Sequence, residues 1–320
     1  MNQPSTGYEG RARIVEAGEE DDDQRIDNFL VRHLKGVPRT HIYRLLRTGQ
    51  VRVNGGRIKA QYRVRAGDKV RIPPVRQAEP AESAPAPPPQ RARRELEGRI
   101  LFEDDRVVVL NKPAGMAVHG GSGLSFGVIE AMRTARPDAP FLELAHRLDR
   151  ETSGVLVLCK KRSALRRLHE LLREGQVEKR YLALVAGSWS ERREEIRLTL
   201  RKQQLHGGER MVDVSEQGKE AVSLFRPIQY FRGATLMEVD IKTGRTHQIR
   251  VQAAHLGHPL LGDDKYGDRD ANRAFRKLGL KRLFLHAASI GFEWQDNHNR
   301  VDVNAPLDHD LRAVLERLER

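Results

Sequence analysis

The run Ala145-His146-Arg147-Leu148-Asp149-Arg150-Glu151-Thr152-Ser153-Gly154, followed at once by Val155-Leu156-Val157-Leu158, sets one carboxylate between two arginines. Fixed positive charge on both sides favours the ionised carboxyl group, so Asp149 is expected to be anionic at neutral pH. An anionic carboxylate can act as a nucleophile toward an electrophilic carbon. The apolar run after the small polar turn predicts a buried strand. On residue types alone the ten residues would also suit a solvated surface loop. What surrounds them decides between the two.

The chain has 320 residues, enough for two or three modest domains. It carries 57 Lys and Arg against 44 Asp and Glu, a net charge of +13. Such a surplus suits a polyanionic partner, either nucleic acid or an anionic membrane surface. No apolar run is long enough to span a bilayer, and Met1–Gly10 lacks the apolar core of a secretion signal. Basic residues are not set against an exposed apolar helix face, which ranks a membrane-surface role last. The single cysteine, Cys159, cannot form an internal disulfide and falls in the apolar run, as a buried structural residue would. These features together predict a reducing cytoplasm.

Residues 1–11 read as a disordered tail, and a domain is expected over 12–74. After a short strand within Arg11–Ala17, Ile26, Phe29, Leu30 and Leu34 recur at helical spacing, with Asp23 as the expected N-cap and Gly36 as the stop. Pro38 opens a second helix whose inner face is Ile42, Leu45 and Leu46, leaving Arg39, Arg44 and Arg47 outside. Asn54-Gly55 marks a hairpin turn after Val51 and Val53, and strands follow near Ile58 and at Lys69–Ile72. Two helices with a basic outer face and a small hairpin resemble the S4 RNA-binding domain, with Pro38–Lys59 as its signature. The three arginines could be a merely solvated face. The net charge and the neighbouring motif favour RNA contact, mostly with phosphates.

Residues 75–98 shift to Ala, Pro, Glu and Gln, with Pro85, Pro87, Pro88 and Pro89 nearly consecutive, and are expected to form a semi-extended tether. A second domain is expected over 99–320. Val107–Leu110 predicts a strand leading into Asn111-Lys112-Pro113-Ala114-Gly115. The Gly-rich loop His119–Gly123 lacks both phosphate-loop patterns, so no nucleotide site is expected. A helix capped by Ser163 carries Leu165, Leu168 and Leu172 and ends at Gly175. Glu178–Val185, Ile196–Leu200, Met211–Val214, Ala221–Phe231 and Ala234–Ile241 then read as strands. Strands with polar turns and few helices between them predict an α+β protein built on a large, mainly antiparallel sheet. A helix with Ile249, Ala253 and Leu256 inside closes at Gly257. His255 and His258 have no Cys or carboxylate in register, so no metal is expected. Leu283–Ala287 is a further strand, and Leu307, Leu311, Val314, Leu315 and Leu318 make a closing amphipathic helix.

The decapeptide around Asp149 closely resembles the active-site motif of the RluA-type large-subunit ribosomal RNA pseudouridine synthases. Thr243-Gly244-Arg245-Thr246-His247-Gln248-Ile249-Arg250 is a second long match, and the Asn-Lys-Pro-x-Gly turn and Leu283–Ala287 strand belong to the same pattern. Lys179–Val185, Gly208-Glu209-Arg210 and Gly279–His286 look most like the RluC-type branch, while Trp294–Arg300 departs from the short turn expected there. The resemblance runs from about Arg25 to Leu318 without the tether. It implies an isomerase of uridine in RNA: the glycosidic C–N bond breaks, the base turns, and it rejoins through carbon. It assigns Asp149 as nucleophile on C1′ or C6, Arg250 as its partner (with Arg245 as rival), Tyr181 beside the extruded base, and Arg147 in the vacated space. It implies large-subunit ribosomal RNA as partner, no cofactor of any kind, and no need of a second subunit, hence a monomer. His146 is expected to hold the loop by a hydrogen bond. The competing reading is a non-catalytic RNA-binding or ribosome-assembly factor, in which Asp149 would be dispensable.

Overall fold

The computed structural model describes residues 12–75 and 87–319, apart from 19–20, 35, 122–124, 191, 193, 205–209 and 295–297. The expected tail 1–11, residues 76–86 of the tether, Gly208-Glu209 and part of the Trp294–Arg300 loop lie outside the described residues. The chain divides into two compact units between Ala86 and Pro87.

The N-terminal unit comprises β1 (Arg13–Glu16), α1 (Ile26–His33), α2 (Arg39–Arg47), β2 (Arg52–Val53), β3 (Gly56–Arg57) and β4 (Lys69–Ile72), with sheet order β1-β4-β2-β3. Its core is the set that helical spacing singled out, Ile26, Phe29, Leu30, Ile42, Leu45 and Leu46, against Val53, Val70 and Ile72. Asn54 (φ 49°) and Gly55 (φ 79°) both take the left-handed conformation that a two-residue hairpin requires. Two expected helix starts shift. Asp23 is not the N-cap of α1: it sits in a turn at φ 61°, and Arg25 occupies the cap. Pro38 is the cap of α2 rather than its first residue.

The C-terminal unit contains α3 (Gln90–Glu97), β5 (Ile100–Glu103), β6 (Val107–Lys112), α4 (Val128–Ala135), β7 (Glu143–Leu144), β8 (Ser153–Cys159), α5 (Arg162–Arg173), β9 (Glu178–Ala186), β10 (Glu194–Gln204), β11 (Arg210–Val214), β12 (Lys219–Phe231), β13 (Ala234–Ile241), α6 (Gln248–His255), α7 (Arg269–Lys277), β14 (Leu285–Glu293), β15 (Arg300–Asn304) and α8 (His309–Leu318). One sheet runs in the order β11-β10-β12-β13-β9-β14-β8-β6-β5, with β15 on β14 and β7 on β8. All pairings among the described strands are antiparallel except β14 with β8, where His286 and Ala287 face Ser153 and Gly154.

β6 and β8 read as continuous apolar runs because both of their faces are covered. Val108, Leu110, Leu156 and Leu158 pack under α4, whereas Val107, Val109, Val155 and Val157 pack under α5. Cys159 lies in the second of these layers, and burial pushes its thiol up to about 12, so it is inert as expected. Gly154 (φ 107°) cannot be replaced cheaply, because a Cβ there would lie 2.2 Å from the Ala287 carbonyl oxygen. That close approach locks the strand leaving the Asp149 loop onto β14.

Three expectations for this unit are corrected. Gln90–Glu97 is helical rather than extended, and its Leu96 is fully buried. The run Gln-Arg-Ala-Arg-Arg-Glu-Leu-Glu consists of helix formers, and Pro89 before it needs no N–H partner. The adjoining prolines masked that signal. Ser163 lies inside α5, whose cap is Lys161. α4 and α7 were not anticipated from the sequence, so the sheet has more helical cover than its strand pattern suggested.

Candidate active site

The loop Ala145–Thr152 enters from β7 and leaves through β8, and backbone-directed bonds hold both of its sides. Val157 N–H donates to His146 Nε2 (3.2 Å), which is the loop-holding bond expected of His146. Burial and the nearby Lys179 charge push this imidazole down to about 4, so it accepts as a neutral ring. On the other side, Gly115 N–H donates to Arg150 O (2.9 Å) and Arg150 Nε to Gly115 O (2.9 Å). Lys112, fully buried, gives its three N–H bonds to Pro113 O, Met116 O and Arg150 O at 2.8, 2.8 and 3.1 Å. Burial still pushes it down to about 7. The Asn-Lys-Pro-x-Gly turn therefore serves as a clamp on the Asp149 loop.

α6 approaches from the opposite side. Its first six residues, Gln248 to Ala253, are all buried, and its two glutamines satisfy the strands it covers. Gln248 donates to Val222 O and Ser223 Oγ (3.0 and 2.8 Å), and Gln252 to Ile196 O and Ala221 O (3.1 and 3.0 Å). This anchorage fixes Arg250, whose Nη1 lies 3.7 Å from Asp149 Oδ2. Arg250 also makes two 2.7 Å bonds to Asp263, a planar fork-to-carboxylate pairing, and lies over the Tyr266 ring at 5.1 Å. Burial disfavours both ions, yet the Asp263–Arg250 pairing outweighs it, lowering the carboxyl and raising the guanidinium from their ordinary values. His247 caps α6, its Nε2 3.9 Å from Asp149 Oδ2 and its Nδ1 2.8 Å from Tyr266 Oη.

The Asp149 loop, the Thr243–Arg250 segment and β9 enclose a cleft of about 580 Å³, lined by Arg147, Asp149, Tyr181, Arg245, His247 and Arg250 among others. Asp149 keeps 20 % of its side chain exposed to the cleft, against 7 % for Arg250 and 0 % for Asp263. Tyr181 is buried on β9. Burial first, and the Asp149 charge second, push its phenol above its ordinary value, so it stands as a neutral O–H.

The structure thus brings together Asp149, Tyr181, Arg250, Arg147 and Arg245. Of the two arginine candidates, Arg250 faces the carboxylate, while Arg245 is exposed and donates through Nε to Glu220 O (2.9 Å). Arg39, Arg44 and Arg47 are exposed on α2 of the other unit, where Arg44 and Arg47 border a groove with Thr40, Tyr43 and Lys59. Sequence reasoning missed Asp263 and Tyr266, which follow α6 in an irregular segment without periodicity. It quoted His247 and Lys112 within motifs but gave them no task. His258, once weighed as a metal ligand, instead pairs its Nδ1 with Ala186 O at 2.9 Å.

Comparison with known proteins agrees with this geometry. Residues 106–255 match the RNA pseudouridylate synthase family, and residues 24–70 match the S4 domain. The chain is 53 % identical over 306 residues to ribosomal large subunit pseudouridine synthase C of Haemophilus influenzae, covering 96 % of this chain and 95 % of that protein. It is 52 % identical over 308 residues to the protein of the same name from Escherichia coli K12, covering 96 % of each. Among solved structures, human RNA pseudouridylate synthase domain containing 4 is similar with a TM-score of 0.60 and 26 % identity, over 71 % of this chain and 95 % of that one. Human RNA pseudouridylate synthase domain containing 1 shares the fold at a TM-score of 0.56. Related along nearly its whole length, and holding an aspartate and an arginine face to face in the cleft, the chain belongs to the RNA pseudouridylate synthase family.

Proposed function

We propose that this protein isomerises uridines of large-subunit ribosomal RNA to pseudouridine, with Asp149 as nucleophile. What carries the reading is the convergence of Asp149 and Arg250 (3.7 Å) with Tyr181 on one cleft, joined to an N-terminal RNA-binding module. Kinship with large-subunit synthases supplies the substrate class.

In the proposed reaction a uridine leaves its stack, at a cost of about a few kcal/mol, and enters the cleft. The anionic Asp149 bonds to C1′ or C6, and Arg250 balances its charge. The N1–C1′ bond breaks, the base turns, C5 bonds to C1′, the bond from Asp149 to carbon breaks with its electron pair returning to the carboxylate, C5 loses its proton and N1 gains one. Bonds are exchanged without oxidation or reduction, so the scheme draws on no cofactor. Tyr181 packs against the base as a neutral phenol. Tyr181 is the group beside the base through which the C5 proton leaves, its oxygen accepting that proton as its own O–H proton is given up to water. Arg147 fills the space that the uridine vacates, and Arg245 meets the backbone. The module over residues 12–74 contributes phosphate contacts through Arg39, Arg44 and Arg47, reaching its target through the tether. The reading takes the protein to act as a monomer in the cytoplasm.

Incubating uridine-labelled ribosomal RNA with the protein and with Asp149→Ala tests the reading. Replacing the nucleophile is expected to lower pseudouridine formation by at least about 10³-fold. Equal product from both proteins, or none from either, overturns it and leaves the RNA-binding factor as the alternative.

A further inference from the structure

His247 caps α6 at φ 54° and ψ 21°, a left-handed conformation uncommon for a residue with a side chain, and its side chain makes no capping bond. A strained residue of this kind persists where the surrounding structure imposes it, often at a functional site. Here the turn sets the imidazole between Tyr266 and Asp149. Tyr266 Oη accepts a hydrogen bond from Val212 N–H (2.9 Å), so its own proton can be given to His247 Nδ1, 2.8 Å away. The ring proton of the neutral imidazole is then on Nε2, 3.9 Å from Asp149 Oδ2. The opposite tautomer would aim a lone pair at the carboxylate. Burial pushes this histidine below its ordinary value, against the pull of Asp149, which keeps the neutral ring in place at neutral pH. Arg250 Nη1, at 3.7 Å, approaches the same oxygen, Oδ2.

We propose that His247 is a positioning residue for the nucleophile: with Arg250 it holds Asp149 Oδ2, leaving Oδ1 as the oxygen that bonds to the substrate. This rests on the isomerase reading above. When an Oδ1 lone pair becomes the new C–O bond, Oδ2 becomes the ester carbonyl oxygen and still accepts from a neutral Nε2–H. The bonding electrons displaced from N1–C1′, or from C5=C6 for attack at C6, go to the uracil. A closure of about 1 Å brings Nε2 into hydrogen-bond range of Oδ2, the kind of tightening that substrate binding produces.

Two variants separate this role from that of a turn residue. Asparagine tolerates the left-handed region well, so His247→Asn keeps the backbone, but its amide occupies the place of Nδ1 and does not reach Asp149. The amide of His247→Gln reaches where Nε2 stands. The Asn variant is expected to retain the parent's thermal midpoint, with kcat on ribosomal RNA lowered about 10- to 100-fold and KM changed by less than about threefold. The Gln variant is expected to recover about tenfold of that loss. An Asn variant with the parent's kcat, a Gln variant no faster than Asn, or a loss confined to KM overturns the role of His247. Parent and Asp149→Ala proteins are assayed alongside. A parent that forms no pseudouridine overturns the isomerase reading itself, and this inference with it.

Discussion

Arg250 of the C-terminal unit is nearly sealed from water and doubly bonded to a fully buried Asp263, whereas Arg39, Arg44 and Arg47 of the N-terminal unit stand exposed on α2. The first arrangement is demanding to build. Taking two ions out of water is offset only by near-ideal pairing, and the result is one guanidinium held in one place beside one carboxylate. The second is easily built, because solvated cations keep their hydration and their freedom. Buried charge therefore fixes geometry, and exposed charge supplies a summed attraction that salt can screen. On the proposed function, one unit is organised for a reaction at a single atom, the other for contact with a repeating backbone.

The sharpest way to break this contrast is to remove an acidic partner in each unit. Asp263→Asn leaves Arg250 buried with only the more distant Asp149 carboxylate opposite it, and should cost about 3–5 kcal/mol in urea unfolding together with most of the activity. In the N-terminal unit, Asp27→Asn weakens the bonds from Arg25 and from the Tyr43 hydroxyl, whose donors are exposed, and should cost clearly less. Equal losses from both would erase the distinction.

Acid offers a second way. The folded value of His146, about 4, lies below its unfolded value of about 6.5, so the unfolded chain binds more protons between these limits. Stability from this site is present above pH 6.5 and is lost as pH falls toward 4. Between pH 7 and pH 5 the protein should lose about 2 kcal/mol more than His146→Gln, compared by urea unfolding at each pH. An identical pH slope for the two proteins would remove His146 from the account.

The smallest effects belong to the exposed face. Replacing Arg39, Arg44 or Arg47 singly by Gln should weaken RNA binding by roughly three- to tenfold at low salt. The slope of log affinity against log salt should fall by about 0.7–0.9 for each phosphate that is no longer neutralised. kcat at saturating RNA should stay within about twofold of the parent. A salt slope that does not change would show that these side chains are only solvated.

Local patterns were legible in the sequence because they depend on neighbours a few residues apart. Helical spacing located Ile26, Phe29, Leu30, Ile42 and Leu45 in the core, Asn54-Gly55 made the hairpin turn, and the alternating segments became the antiparallel strands of the large sheet. The two long motifs marked Asp149 and Arg250, and their kinship marked the chemistry. Pairings across long stretches of chain were left to the tertiary structure. Asp263 meets Arg250 from an irregular segment, Lys112 reaches the carbonyl of Arg150, and Gly154 is required by a close approach to Ala287. Which of two arginines faces Asp149, and which nitrogen of His247 points at it, are settled by packing. The physical reason is range: periodicity and turn chemistry are local, whereas the balance between desolvation and pairing at a buried charge exists only once distant strands and helices have closed around it.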